Sequence, residues 1–349
     1  MKKLIPFLLL VGCGIPFLAP GQAIRTTPAA PAGIRVQNDS LLKNYINITL
    51  DWQLLVNGLP RQKGTVPGLQ LPPGRPRTIR LPLRPLAPAD EAWLKVEYRG
   101  PVRTRPPLAG QTFRWKTWAG DTHIPAAGEL VFTDSNDLFT ISSPILQISF
   151  DKQTGWIQGY SVDHFPLLSD SNGLRPALPA PPHLQLFSTS TGPQMAIVRT
   201  EYTLPELSCL LHLSYTLNAA GTLLVEQILE TDTTRGDSVV HPIDRFGMNW
   251  NLATAFDSVA SYGLATDQDT FPVLRAEPLP ASPSAMIRWW TIRDRDGKGF
   301  QLTADSNFLC RVSMSPSGKT LLIDGPLPPN PTIPVRFHYS FKLSPLIHR

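Results

Sequence analysis

The 349-residue chain has few of the residues from which reaction centres are built. Three cysteines and seven histidines are present. None falls into an HxH, HExxH or CxxC spacing, which argues against a sequence-encoded metal site. GxxxxGK[ST] and GxGxxG are both missing. The short GKT at Gly318 sits in a strand turn without the rest of a phosphate loop. No GxSxG marks a nucleophile elbow. No cofactor is expected. Helical patterning is scarce too, with no clean apolar stripe of period 3.6 over a dozen residues. Without strand–helix alternation a parallel sheet or barrel of βα units is excluded. Net charge is only +5, and +3 once Lys2 and Lys3 are removed. That is too little to argue for nucleic acid.

Proline, by contrast, is abundant. The 37 prolines are roughly twice the usual share, and proline favours loops and edge strands over helix interiors and central strands. With 42% apolar and 17% charged residues the chain can build a core. Residues 1–23 read as an export signal: Lys2 and Lys3, an apolar run from Leu4 to Leu18, then small residues ending at Ala23. The mature protein is therefore expected to be secreted or periplasmic. Leu10-Val11-Gly12-Cys13 also resembles a lipobox, and lipidation at Cys13 would instead give an outer-membrane lipoprotein.

The period-2 alternation of short runs predicts an all-β chain. Residues 24–33 read as a Pro/Ala linker. Strands from Ile34 onward, including INITLDWQLLVNG with Ile46, Ile48, Leu50 and Trp52 on one face, predict a small β-sandwich over 34–120. Asn57-Gly58 is a tight-turn signal. Residues 121–135 read as a second linker, containing the strand-like GELVFTD. A larger β-region spans 136–345. Its first hairpin is LQISFDKQTGWIQGYSVD, whose two alternating runs flank the turn Asp151–Gly155.

Candidate chemistry is thin. Asp294 and Asp296 lie in DRDGKG, where turn formation is the simpler role. The acidic run 266–271 reads as a solvated loop. Cys209 and Cys310 either pair or stay buried and free, and the second reading is preferred. Trp115, Trp118, Trp250, Trp289 and Trp290 can stack on sugars or fill core. Strand geometry puts Trp289 and Trp290 on opposite faces. His183, His212, His241 and Glu201 are the loose candidates for acid/base work.

Several blocks resemble the C-terminal region of glycoside hydrolase family 2 β-galactosidases. IRVQNDSLLKNYINITLDWQLLVNGLPRQKGTV and AGQTFRWKTWAG are similar to the immunoglobulin-like domain that follows the catalytic barrel. LQISFDKQTGWIQGYSVDHFPLL, IDRFGMNWNL, IRWWTIRDRDGKGFQLTA and TLLIDG are similar to the last, small-chain domain, a galactose-mutarotase-like β-supersandwich. No counterpart of the barrel and its two catalytic glutamates is present. Segments that approach the family's active site also differ: Arg175-Pro176-Ala177-Leu178-Pro179 lacks acidic residues, 264–269 reads LATDQD, and PLPPNPTIP follows Gly325 without an aromatic residue. The resemblance implies a secreted, non-catalytic carbohydrate-binding or accessory module. Its ligand would be carbohydrate, including galactosides, with Arg175, Arg245 and Trp250 as candidate contacts. A second implication is the small subunit of a split β-galactosidase, partnered by a separate barrel chain. Apart from the resemblance, proline-rich loops such as LPAPPH and PLPPNP suit an envelope structural or interaction protein that meets a partner peptide.

Overall fold

The computed structural model describes residues 23–29, 33–88, 90–101, 106–168, 173–177, 181–232, 245–253, 255–264, 272–279, 284–315, 318–325 and 336–347. Cys13 and the rest of 1–22, His241, the run 266–271 and the proline loop 326–335 lie outside the described residues. The chain is all-β and forms two compact units, Met1–Thr117 and Trp118–Arg349.

The first unit contains β1 (Ile24–Ala29), β2 (Gly33–Asn38), β3 (Tyr45–Val56), β4 (Leu59–Leu71), β5 (Arg77–Arg80), β6 (Ala92–Arg99) and β7 (Ala109–Lys116). They pair into a three-stranded sheet, β1-β2-β5, and a four-stranded one, β4-β3-β6-β7. Alternation makes each sheet one-sided. Ile34, Val36 and Ile79 join Leu50, Trp52, Leu94 and Val96 in a single core. Asn57 and Gly58 both take positive φ, 50° and 84°, and turn β3 into β4 as a two-residue hairpin requires.

Two expectations are corrected here. Ile46 does not share the face of Ile48, Leu50 and Trp52. It is 59% exposed, because Asn47 at φ 54° shifts the register between Tyr45 and Ile48. The segment read as a linker from Ile24 is strand β1, paired with β2 from Ile24↔Asn38 to Ala29↔Gly33. Ile24 and Thr26 are fully buried, and Thr26 Oγ1 lies 2.7 Å from the Tyr98 hydroxyl. Pro28 is tolerated because β1 is an edge strand.

The second unit contains β8 (Val131–Asp134), β9 (Leu138–Ser142), β10 (Leu146–Asp151), β11 (Ile157–Val162), β12 (Phe165–Pro166), β13 (Leu174–Ala177), β14 (His183–Thr191) and β15 (Met195–Leu204). It continues with β16 (Cys209–Asn218), β17 (Leu223–Thr231), β18 (Gly247–Leu252), β19 (Ser258–Gly263), β20 (Val273–Pro278) and β21 (Ser284–Arg293). The last strands are β22 (Gly299–Ser315), β23 (Gly318–Asp324) and β24 (Arg336–Leu346). These strands pair antiparallel into one sheet that closes on itself. The hairpin β10–β11 forms as its sequence predicts. Asp151 Oδ1 accepts the amides of Gln153 and Thr154 at 2.7 and 2.9 Å. Gly155 takes φ 75°, where a Cβ would also meet the Tyr202 hydroxyl.

At the centre of this unit lies Trp250, fully buried. Its ring stacks on Phe300 at 4.5 Å and 3°, and the indole N–H donates to Leu167 O at 3.1 Å. Residues 118–130 lie along the same unit rather than bridging open space. Lys342 Nζ pairs with Asp121 at 2.7 Å and donates to His123 O at 3.2 Å. Thr303 Oγ1 donates to Asp121 O, and Asn218 Nδ2 to Pro125 O. The stretch read as a linker, 121–135, is therefore a strap that ends in β8 and neutralises a lysine whose side chain is only 9% exposed.

Two outcomes follow from this core. Trp250→Ala removes a stacked, hydrogen-bonded indole and is expected to cost roughly 3–5 kcal/mol, read as a lowered urea midpoint with an unchanged slope. Burial also raises the phenols of Tyr160, Tyr202, Tyr215 and Tyr339 above their ordinary value of 10.0. A raised folded value means that this stability is fully present below the unfolded value and lost as pH climbs above it. Stability is therefore expected to fall above about pH 10, with tyrosinate absorbance rising together with loss of β-structure. Unchanged stability above about pH 10 would contradict this.

Candidate functional site

Strands β13, β18, β23 and β22 lie side by side, and one of their two faces is polar. Arg175 on β13 is opposite Asn249 on β18, which is opposite Leu322 on β23, which is opposite Arg311 on β22. All four side chains are half-buried or exposed, whereas their neighbours Leu174, Met248, Trp250, Leu321 and Ile323 fill the core. The polar row is thus a direct product of alternation in RPA, GMNWNL and KTLLID.

Arg245 anchors one end of the row. Its Nε lies 3.0 Å from both oxygens of Asp324, its Nη2 2.6 Å from Oδ1, and Nη2 also reaches Asn249 Oδ1 at 3.4 Å. Charge-assisted, bidentate pairing of this kind fixes geometry as well as charge. It is possible because Gly247 faces Asp324 across the ladder, where a Cβ would lie 2.7 Å from the Asp324 Cα. At the other end, Thr320 Oγ1 donates to Asn251 Oδ1 at 3.0 Å.

Of the three residues chosen from sequence, Arg175 and Arg245 belong to this row and Trp250 does not. Trp250 is at 0% exposure, between Phe300 and Tyr160, and offers no ring face to a ligand. It follows Asn249 directly, so in a strand it must point the other way. Asn249, Asn251, Thr320 and Asp324 were missed. The period-2 register of MNWN marks the two asparagines, but no sequence signal pairs Arg245 with a residue 79 positions away.

A second polar group lies on β15, β16 and β17. Glu201 is opposite His212, and His212 Nδ1 lies 3.7 Å from Glu201 Oε1 while Nε2 lies 3.3 Å from Glu230 Oε1. Arg336 on β24 approaches Glu230 at 3.7 Å. The structure therefore brings together two of the sequence's acid/base candidates, Glu201 and His212. His183 stands apart at the start of β14, its backbone paired with Thr203. Among the described residues no group of three or more His, Cys, Asp and Glu suits a metal ion. Cys209 and Cys310 are free and buried, and burial pushes both thiols up, away from nucleophile chemistry.

Other sequence readings land in turns and core. Asp294 Oδ1 accepts the amides of Asp296 and Lys298 at 3.0 and 2.8 Å and serves its hairpin. Trp290 is buried and Trp289 half-buried, on opposite faces of β21. An open cavity of 320 Å³ lies between β19, β20 and β21, lined by Ser258, Ala260, Glu277, Thr291 and Arg293 among others, and shares no residue with the polar row.

Residues 34–119 match the family described as beta-galactosidase, domain 4. No curated protein matches the chain in sequence. Among solved structures, a protein of Escherichia coli K12 assigned provisionally as an aldose 1-epimerase aligns at 14% identity and TM-score 0.40, over 62% of this chain and 99% of that one. A GH36 alpha-galactosidase from Geobacillus stearothermophilus aligns at 9% identity and TM-score 0.40, over 62% of this chain and 41% of its own. An alpha-galactosidase from Lactobacillus brevis gives 10% identity and TM-score 0.39, over 60% and 39%. These distant structural likenesses do not bear on what this chain binds.

The Arg245–Asp324 pair is partly screened, with side chains 31% and 18% exposed. Its coupling energy is expected to be about 1 kcal/mol. A double-mutant cycle of Arg245→Met and Asp324→Asn in urea unfolding reads it directly, and the coupling should shrink as salt is raised. A coupling of zero would remove the pair from the site's framework.

Proposed function

We propose that the chain is an exported, β-galactosidase-related module that binds carbohydrate without catalysing its hydrolysis. The observation that carries this is the polar row Arg175–Asn249–Arg245/Asp324 with Asn251–Thr320. It presents fixed guanidinium, amide and hydroxyl groups side by side on a rigid sheet face. Such groups match the ring oxygens and hydroxyls of a sugar, and their rigidity lowers the ordering cost of binding. The match of residues 34–119 to a β-galactosidase domain supports a sugar-related role. The non-catalytic reading rests on the carboxylate of this row. Retaining and inverting glycosidases both need two carboxyl groups across the scissile bond. Here the row offers Asp324, which Arg245 holds as an ion pair. Export is supported by the sequence of residues 1–23.

A second reading is supported by the family match itself, since a fourth domain works within a longer enzyme. In that reading the chain is the small subunit of a split β-galactosidase and completes a separate barrel chain.

Glycan-array screening followed by titration calorimetry tests the first reading. Binding to a galactoside or a galactose-containing polysaccharide is expected, and Arg175→Ala or Asn249→Ala should weaken it about tenfold, the usual loss when one or two good hydrogen bonds go. Nitrophenyl galactoside should remain intact in the presence of the chain alone. An array blank for galactosides and for plant and algal polysaccharides would sink the binding reading. Hydrolysis that appears only after a barrel chain is added would establish the second.

A further inference from the structure

The two units carry opposite charge. Residues 24–117 hold fifteen Lys and Arg against five Asp and Glu, a net of +10, while residues 118–349 hold fifteen against twenty-two, a net of −7. Between Asp51 and Asp90 the chain has six basic residues and no acidic one. The modest overall charge hides this asymmetry.

One end of the basic unit also carries an apolar tip. In the turn from β2 to β3, Leu41 and Leu42 are 91% and 96% exposed. A single exposed leucine is ordinary, but two adjacent ones held fully out of a sandwich are not explained by folding. The turn is well fixed. Buried Asn38 accepts the Ser40 amide at 3.0 Å and donates to Lys43 O and Leu71 O at 2.7 and 2.8 Å, while Ser40 Oγ accepts the Lys43 amide at 3.1 Å. Asn38 also ties in the turn before β5: it bridges Pro73, and the Gly74 amide donates to Asn38 O at 2.8 Å. Arg75, next to Gly74, and Arg77, which opens β5 opposite Val36, therefore belong to the same end of the sheet as the leucines and Lys43. Among the described residues neither arginine has an acidic partner. Asp39, in the β2–β3 turn, is engaged by Arg25 at 3.1 Å. Finally, the Asp39 amide donates to Ala23 O at 2.7 Å, so Ala23 lies at this same end.

We propose that this end of the smaller unit docks on an anionic lipid surface. Leu41 and Leu42 enter the interfacial layer, and Lys43, Arg75 and Arg77 lie against phosphate headgroups. An apolar wedge ringed by cations is what such a surface selects, because burial and attraction to anionic headgroups add. Basic residues alone would suit an acidic polysaccharide equally well. The leucine pair decides between them, since a hydrated polysaccharide offers it nothing to be buried in. Among the described residues no helix is long and apolar enough to cross a membrane.

Flotation of the mature chain from Ala23 onward, so that neither the apolar run Leu4–Leu18 nor an acyl group on Cys13 contributes, tests this on phosphatidylcholine vesicles with and without phosphatidylglycerol. The parent should float with anionic vesicles and much less with neutral ones. Leu41→Ser/Leu42→Ser should lower binding about tenfold, and Arg75→Gln/Arg77→Gln severalfold with a flatter salt dependence. Both variants change exposed side chains, so their melting temperatures should equal the parent's. A leucine variant that floats like the parent would overturn the proposal. So would equal parent binding to neutral and anionic vesicles, or binding to a sulfated polysaccharide in preference to anionic vesicles.

Discussion

The stack of Trp250 on Phe300, 4.5 Å apart and nearly parallel, is the contact on which the larger unit's surface depends. It joins β18 to β22 through the interior, and Phe256 packs edge-on against the same phenyl ring. With the two strands fixed from within, their outward residues are fixed too. Asn249 and Asn251 flank Trp250 in sequence and so must face away from it. The order of the polar row thus follows from the aromatic core beneath it. Any side chain on these strands is either framework or surface, and alternation decides which.

That rule separates what was readable in the sequence from what was not. Local signals translated directly. Asn57-Gly58, Asp151–Gly155 and Asp294–Gly297 all form the turns their composition demands, since a short polar side chain or a glycine satisfies a nearby amide or a positive φ. Trp289 and Trp290 parted to opposite faces as adjacent strand residues must. Trp250 was legible by the same rule, but its aromatic chemistry suggested a ligand before its register was weighed against Asn249. Ile46 failed for a subtler reason: one asparagine in the left-handed region is enough to shift the alternation it belonged to.

Long-range relations were not legible. Arg245 and Asp324 meet only because Gly247 lets β18 approach β23, and Glu201, His212 and Glu230 meet only across three strands. Nothing in a single sequence sets such registers. Charge was legible but easily averaged away: the balance of +5 over the chain hides segments of +10 and −7. On the readings proposed above, the polar row of the larger unit would meet sugar and the basic, leucine-tipped end of the smaller unit would meet lipid.

The strap at 118–130 has a consequence for inheritance. Lys342 and Asn218, near the ends of β24 and β16, find their partners in Asp121, His123 and Pro125. A gene fragment beginning at the first strand of the closed sheet would leave an ammonium and an amide buried with no counterpart. The segment that can be moved intact between genes therefore begins upstream of that sheet, and recombination that respects it must carry the strap along.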